Sequence, residues 1–160
     1  MLGVTVIAVG RIKEKFLTQA IDEYKKRLKR YCAFEIIEVK DEATPENPTE
    51  REKEIVLLKE GERIMEKIPK GAEVVALCVE GKQQSSEEFA SYLEKTATEG
   101  KSRIVFIIGG SFGIAEPIKK MAAKRLSFSE MTFPHQLMRL ILTEQIYRAF
   151  TICEGKTYHK

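Results

Sequence analysis

At 160 residues and 43% hydrophobic content the chain has the size and apolar content of one domain, and residues 1–160 are read as a single unit. It has no run of about 18 apolar residues and no charged-then-apolar leader, which argues against a membrane span and a signal peptide. A net charge of +3 admits an anionic partner such as RNA without requiring one.

Val4–Val9 is a continuous β-branched run and predicts a strand buried on both faces. Across Glu14–Tyr31, Phe16, Leu17, Ala20, Ile21, Tyr24 and Leu28 recur at helical spacing. The same segment carries Lys25, Lys26, Arg27, Lys29 and Arg30, which read either as a solvated helix face or as a phosphate-tracking patch. Phe34–Val39 predicts a second strand, Thr44–Pro48 a loop, and Thr49–Ile68 a long charged helix. Glu73–Val79 predicts a third strand. A helix then starts near Ser85, where Ser85 and Glu88 have capping-box spacing.

Arg103–Ile108 is the most apolar strand. It runs into Gly109-Gly110-Ser111-Phe112-Gly113 and a helix with Pro117 in its first turn. Leu126–Phe128 predicts a short fifth strand, and His135–Cys153 the last helix. Strands alternating with helices predict an α/β fold with a mostly parallel sheet flanked by helices. Ligands of such sheets bind beyond the carboxyl ends of the strands, here after Leu77, Ile108 and Phe128.

The glycine loop lacks the Gly-Lys-Ser/Thr of a Walker motif and the first glycine of the dinucleotide fingerprint. It reads as a small-molecule site or as a tight strand-to-helix turn. Ser129 and Thr132 carry hydroxyls suited to a ligand, and Thr132 is also placed to cap the last helix. On that helix Leu137, Ile141, Glu144 and Arg148 share one stripe, and Leu140, Thr143 and Tyr147 another. Apolar residues on most faces predict burial on more than one side, the second side being another copy of the chain. Glu144 and Arg148 are four apart and read as a structural ion pair or as part of a site.

Cys32, Cys78 and Cys153 are odd in number and lack metal-ligand spacing. They predict unpaired, buried thiols in a reducing cytoplasm and no metal site.

The GGxxG loop at Gly109–Gly113, the Ser129-x-x-Thr132-Phe133-Pro134-His135 turn, the Glu144-Gln145-x-Tyr147-Arg148-Ala149 helix and the Tyr158-His159-Lys160 segment together resemble the ribosomal RNA large-subunit methyltransferase H family. That family belongs to the SPOUT class of S-adenosylmethionine-dependent methyltransferases, and the likeness spans essentially the whole chain. The resemblance implies a C-terminal trefoil knot, a departure from the general avoidance of knots. It implies a homodimer that methylates N3 of a pseudouridine in large-subunit ribosomal RNA on the assembled ribosome. By position in the motifs it assigns cofactor contacts to Leu77, Gly110, Ser129, Glu130, Met131, Thr132, Phe133 and Pro134. It assigns RNA contact or assistance to transfer to His135, Arg148, Tyr158 and His159.

Methyl transfer requires in-line approach by a nitrogen that also loses its proton, and the residues leave His135, His159 or solvent as the acceptor. Tyr158 offers a stacking surface for a flipped base. The alternative expectation is a non-catalytic, ribosome-associated nucleotide-binding module. A small hydrolase is disfavoured by the lack of a Ser-His-Asp set or a phosphate-binding lysine.

Overall fold

The computed structural model describes residues 1–160. Five strands, β1 (Gly3–Val9), β2 (Ala33–Val39), β3 (Glu73–Gln83), β4 (Arg103–Ile108) and β5 (Lys124–Ser127), form one sheet in the order β2-β1-β4-β3-β5. Every strand pair is parallel. Alternate residues of the central strands feed two cores, as the period-2 geometry of a strand requires. Val4, Val6 and Ala8 of β1 and Ile104, Phe106 and Ile108 of β4 face one core, while Ile7, Val9, Val105 and Ile107 face the other.

Helices α1 (Lys15–Leu28), α3 (Ser86–Thr98) and α5 (His135–Cys153) cover the first core through Leu28, Phe89, Leu93, Leu142 and Ile146. Helices α2 (Glu50–Met65) and α4 (Glu116–Met121) cover the second through Ile64 and Ile118. The expected capping box forms at α3: Glu88 N–H donates to Ser85 Oγ at 3.1 Å and Ser85 N–H to Glu88 Oε2 at 2.8 Å. Thr49 and Glu52 make the same arrangement at the start of α2.

Three sequence expectations are corrected. Strand β5 begins at Lys124, two residues before the apolar run, because it pairs with β3 through its backbone whatever its side chains. Strand β3 continues past Val79 to Gln83 after a bulge between Leu77 and Lys82. Gly81 permits this, since a β-carbon there would lie 2.8 Å from the backbone of Arg125 and Leu126. Of the three cysteines expected in the interior only Cys32 is buried. Cys78 lies on the bulge, and Cys153 is exposed on the last turn of α5.

Helix α5 is buried along Arg139, Leu142, Thr143, Ile146 and Ala149. Leu137, Leu140 and Ile141, on other faces, remain half-buried. No helix is long and apolar enough to cross a membrane.

Candidate functional site: a glycine-walled cavity at the carboxyl edge of the sheet

A cavity of about 270 Å³ opens where the sequence placed the ligand, beyond the ends of β3, β4 and β5. Its first wall is the β3 bulge. Cys78, Val79 and Glu80 leave the ladder there, and Lys119 of α4 pins them by contacting Glu80 at 2.7 Å. The hydrogen bond from Lys119 holds the Glu80 carboxyl below its ordinary pKa, and burial pushes the Cys78 thiol up, which keeps it protonated.

The second wall is the glycine loop. Gly113, at φ +90°, turns back so that its N–H reaches the Gly110 carbonyl at 3.1 Å. A β-carbon on Gly109 would sit 2.2 Å from the Gly113 oxygen, so this loop closes only with glycine at that position. The third wall is the segment after β5, folded on itself by Ser129, whose Oγ accepts the Met131 N–H at 3.0 Å.

Of the expected cofactor residues, Leu77, Gly110, Ser129, Met131, Thr132 and Phe133 line the cavity. Glu130 and Pro134 belong to the same loop but do not line it. Thr132 does not cap α5: the N-cap is Pro134, without a side-chain capping bond, so the first N–H groups of the helix stay available. His135 lines the cavity mouth. Burial, and secondarily the nearby Arg139 charge, lower its pKa and favour the neutral ring.

Arg148, Tyr158 and His159 form a separate cluster. His135 and Arg148 stand about 20 Å apart along α5 at the usual rise per residue. Glu144 Oε1 accepts from Arg148 Nε at 3.0 Å, Arg148 Nη2 at 2.6 Å and the Tyr158 hydroxyl at 3.1 Å. Tyr158 packs edge-on against Tyr147, with centroids 4.9 Å apart, and beneath the Arg148 guanidinium. Burial, then the bond with Tyr24, raises the Tyr158 pKa, so its phenol stays protonated. Arg148 Nη1 lies 3.1 Å from His159 Nδ1. A guanidinium only donates, so Nδ1 accepts and the proton of a neutral ring sits on Nε2, donating to Glu87 at 2.8 Å. The basic end of α1 borders this cluster: the Arg27 guanidinium lies over Tyr24 and Tyr147, and the Tyr24 hydroxyl is 3.3 Å from that of Tyr158.

Two charged residues near the cavity have roles that the sequence did not assign. Arg139, 1% exposed, pairs with Glu38 at 2.5 Å and donates to the Gly10 carbonyl at 3.2 Å, which ties α5 to the ends of β1 and β2. Glu60, 4% exposed, lies beneath Gly110. Its signal was legible, because Val56, Glu60 and Ile64 form one buried stripe of α2 in which a carboxylate replaces an apolar residue.

A parallel sheet with a glycine-walled cavity at its carboxyl edge is the arrangement in which α/β proteins hold their ligands, and comparison with known proteins gives the class. The sequence family described as "Predicted SPOUT methyltransferase" matches residues 2–159. The chain is 52% identical over 159 residues to ribosomal RNA large subunit methyltransferase H of Bacillus pumilus (strain SAFR-032), covering 99% of this chain and 100% of that protein. It is 53% identical over 159 residues, with the same coverage, to the protein of that name from Bacillus thuringiensis (strain Al Hakam). A solved structure of a "probable methylase family protein" from Haemophilus influenzae Rd KW20 shares the fold. Its TM-score is 0.52 at 12% identity, covering 99% of this chain and 70% of that one. The chain belongs to the SPOUT methyltransferase family, within the group of ribosomal RNA large subunit methyltransferase H proteins.

Proposed function

We propose that the chain transfers a methyl group from S-adenosylmethionine to N3 of a pseudouridine in large-subunit ribosomal RNA, on the assembled ribosome in the cytoplasm. The observation that carries this reading is the cavity, built from the two loops that the resemblance assigned to the cofactor and opening beside His135. Full-length identity to proteins named for that modification class supports the RNA substrate.

The residues fit the cofactor. Gly109 lets the loop close on itself as a cavity wall, and Leu77, Ile108 and Phe133 offer apolar surface to a purine. Leu77, Gly110 and Ser129–Pro134 would hold it, with Glu130 and Pro134 shaping the loop. When bound, the cofactor supplies an activated methyl group on a sulfonium. The chain supplies orientation and exclusion of water. No group of three or more His, Cys, Asp or Glu side chains is arranged to hold a metal ion.

The functional unit of this reading is a homodimer. In one subunit the Arg148–Tyr158–His159 cluster and the cavity mouth lie at opposite ends of α5. Antiparallel pairing of two α5 helices through half-buried Leu137, Leu140 and Ile141 brings one subunit's cluster to the other's His135. Arg148 then meets phosphate, while Tyr158 and His159 hold the flipped nucleotide.

Mass spectrometry of ribosomal RNA from cells with and without the protein tests the reading. The expected result is loss of one methylated pseudouridine from the large subunit. An unchanged modification profile refutes it, as does calorimetry in which ATP binds and S-adenosylmethionine does not.

A further inference from the structure

A second cleft, of about 470 Å³, opens beside the cofactor cavity and shares Gly110, Ser111, Phe112 and His135 with it. It occupies the topological switch point of the sheet. After β1 the chain turns to α1 on one face, and after the adjacent β4 it turns to α4 on the other. Ligands of open α/β sheets sit in that crevice. Unlike its neighbour the cleft is polar, with Arg11, Lys13, Asp41 and Glu42 around it and Glu60 in its wall.

Glu60 is the unusual member. Its Oε2 accepts the Glu42 N–H at 3.0 Å, but its Oε1 is buried without a partner. A β-carbon on Gly110 would lie 3.1 Å from that oxygen, so the carboxyl abuts the wall common to both cavities. A buried carboxylate oxygen without a donor is costly, and such orphans mark places where a ligand completes the bonding. Glu60 is itself one of the residues lining the cleft, so its carboxyl lies beside any ligand held there.

Resting on the methyl-transfer reading above, we propose that this cleft receives the target pyrimidine base and that Glu60 accepts its ring N–H and takes the proton as the nitrogen is methylated. The N–H bond breaks and its electron pair forms the new N–C bond. The methyl–sulfur pair stays on sulfur, and the proton moves to Glu60 Oε1. The positive charge of the sulfonium donor and the negative charge of the carboxylate disappear together, so a buried site ends neutral, the favourable direction in a low dielectric.

Geometry and electrostatics both suit the step. Burial raises the Glu60 pKa, which makes its carboxylate a better acceptor for a weakly acidic N–H. The charged groups facing it are Asp41 and Glu42 after β2, Arg63 on α2, and Arg11 and Lys13 after β1. His135 on α5 is held toward its neutral form and adds little opposing charge. Arg11 and Lys13, both at the cleft, are placed for flanking phosphates.

The test is Glu60→Gln, an isostere that still accepts the Glu42 N–H. Methylation of assembled ribosomes from cells lacking the protein should fall about 100-fold. Affinity for S-adenosylmethionine, measured by calorimetry, should stay within about twofold, and the thermal midpoint should not drop. The residual rate should climb about tenfold per pH unit above about pH 7, because without the carboxylate only the ionised base attacks. A rate within about threefold of the parent protein overturns the assignment, as does an unchanged pH profile. A matching loss of cofactor affinity also overturns it, since the carboxylate would then serve the cofactor's ammonium. A parent protein that binds S-adenosylmethionine but labels no ribosome refutes the methyl-transfer reading itself, whatever the variant does.

Discussion

Deleting Thr157–Lys160 separates the two ends of α5 functionally. The deletion removes the edge-on contact of Tyr158 with Tyr147, worth about 0.5–1.5 kcal/mol. It also removes the Tyr158 bond to Glu144 and the His159 bond to Arg148. Both residues are only half-buried, so these bonds contribute at the low end, about 0.5–1 kcal/mol each. The His159–Glu87 pair, with Glu87 exposed, adds little. The total is about 1.5–3.5 kcal/mol, or roughly 3–14 °C in thermal midpoint for a chain of this size. The glycine-walled cavity, about 20 Å away along α5, loses no lining residue. Scanning calorimetry should therefore show a folded protein with a modestly lower midpoint, and titration should show near-normal S-adenosylmethionine binding. Methylation of ribosomes should be abolished. Full methylation by the truncated protein refutes the role given to the tail, and loss of cofactor binding refutes the separation of the two sites.

Gly109→Ala places a β-carbon 2.2 Å from the Gly113 oxygen and should abolish cofactor binding in calorimetry, with a stability loss of about 2–4 kcal/mol in urea. Arg139→Ala leaves a cavity and frees Glu38 and the Gly10 carbonyl, costing about 3 kcal/mol, whereas Arg139→Met fills the volume and should cost about 1 kcal/mol or less, because Glu38 is 43% exposed and rehydrates. Equal melting losses for the two Arg139 variants would count against this account. His135 has a lowered pKa in the folded chain, so the unfolded chain binds more protons as pH falls. Its contribution is present above the unfolded pKa of about 6.5 and is lost on acidification through the depressed folded value. His135→Gln should therefore flatten the decline in urea midpoint between about pH 7 and 5, and an unaltered decline would contradict the burial argument.

Much of this architecture was legible in the chain alone. Unbroken β-branched and apolar runs at Val4–Val9 and Arg103–Ile108 suit the interior of a parallel sheet, and they form two of its three interior strands. The glycine loop and the Ser129–Pro134 segment announced themselves by composition, because tight turns and close backbone approach restrict residue choice locally. Other features carried no local signal. The bulge that makes Cys78–Glu80 a cavity wall depends on Gly81 meeting the backbone of β5, more than 40 residues away. The switch-point cleft exists because β1 and β4, distant in sequence, are neighbours whose chains depart to opposite faces. Burial of Arg139 follows from Glu38 and Gly10 meeting it from other strands, and the distance between His135 and His159 from the straight length of α5 between them. Periodicity and turn chemistry are properties of neighbouring residues, so the sequence by itself determined the elements and the residue types available for chemistry. Which of those residues share a cavity is set by long-range strand order and helix docking, and only the tertiary structure decided it.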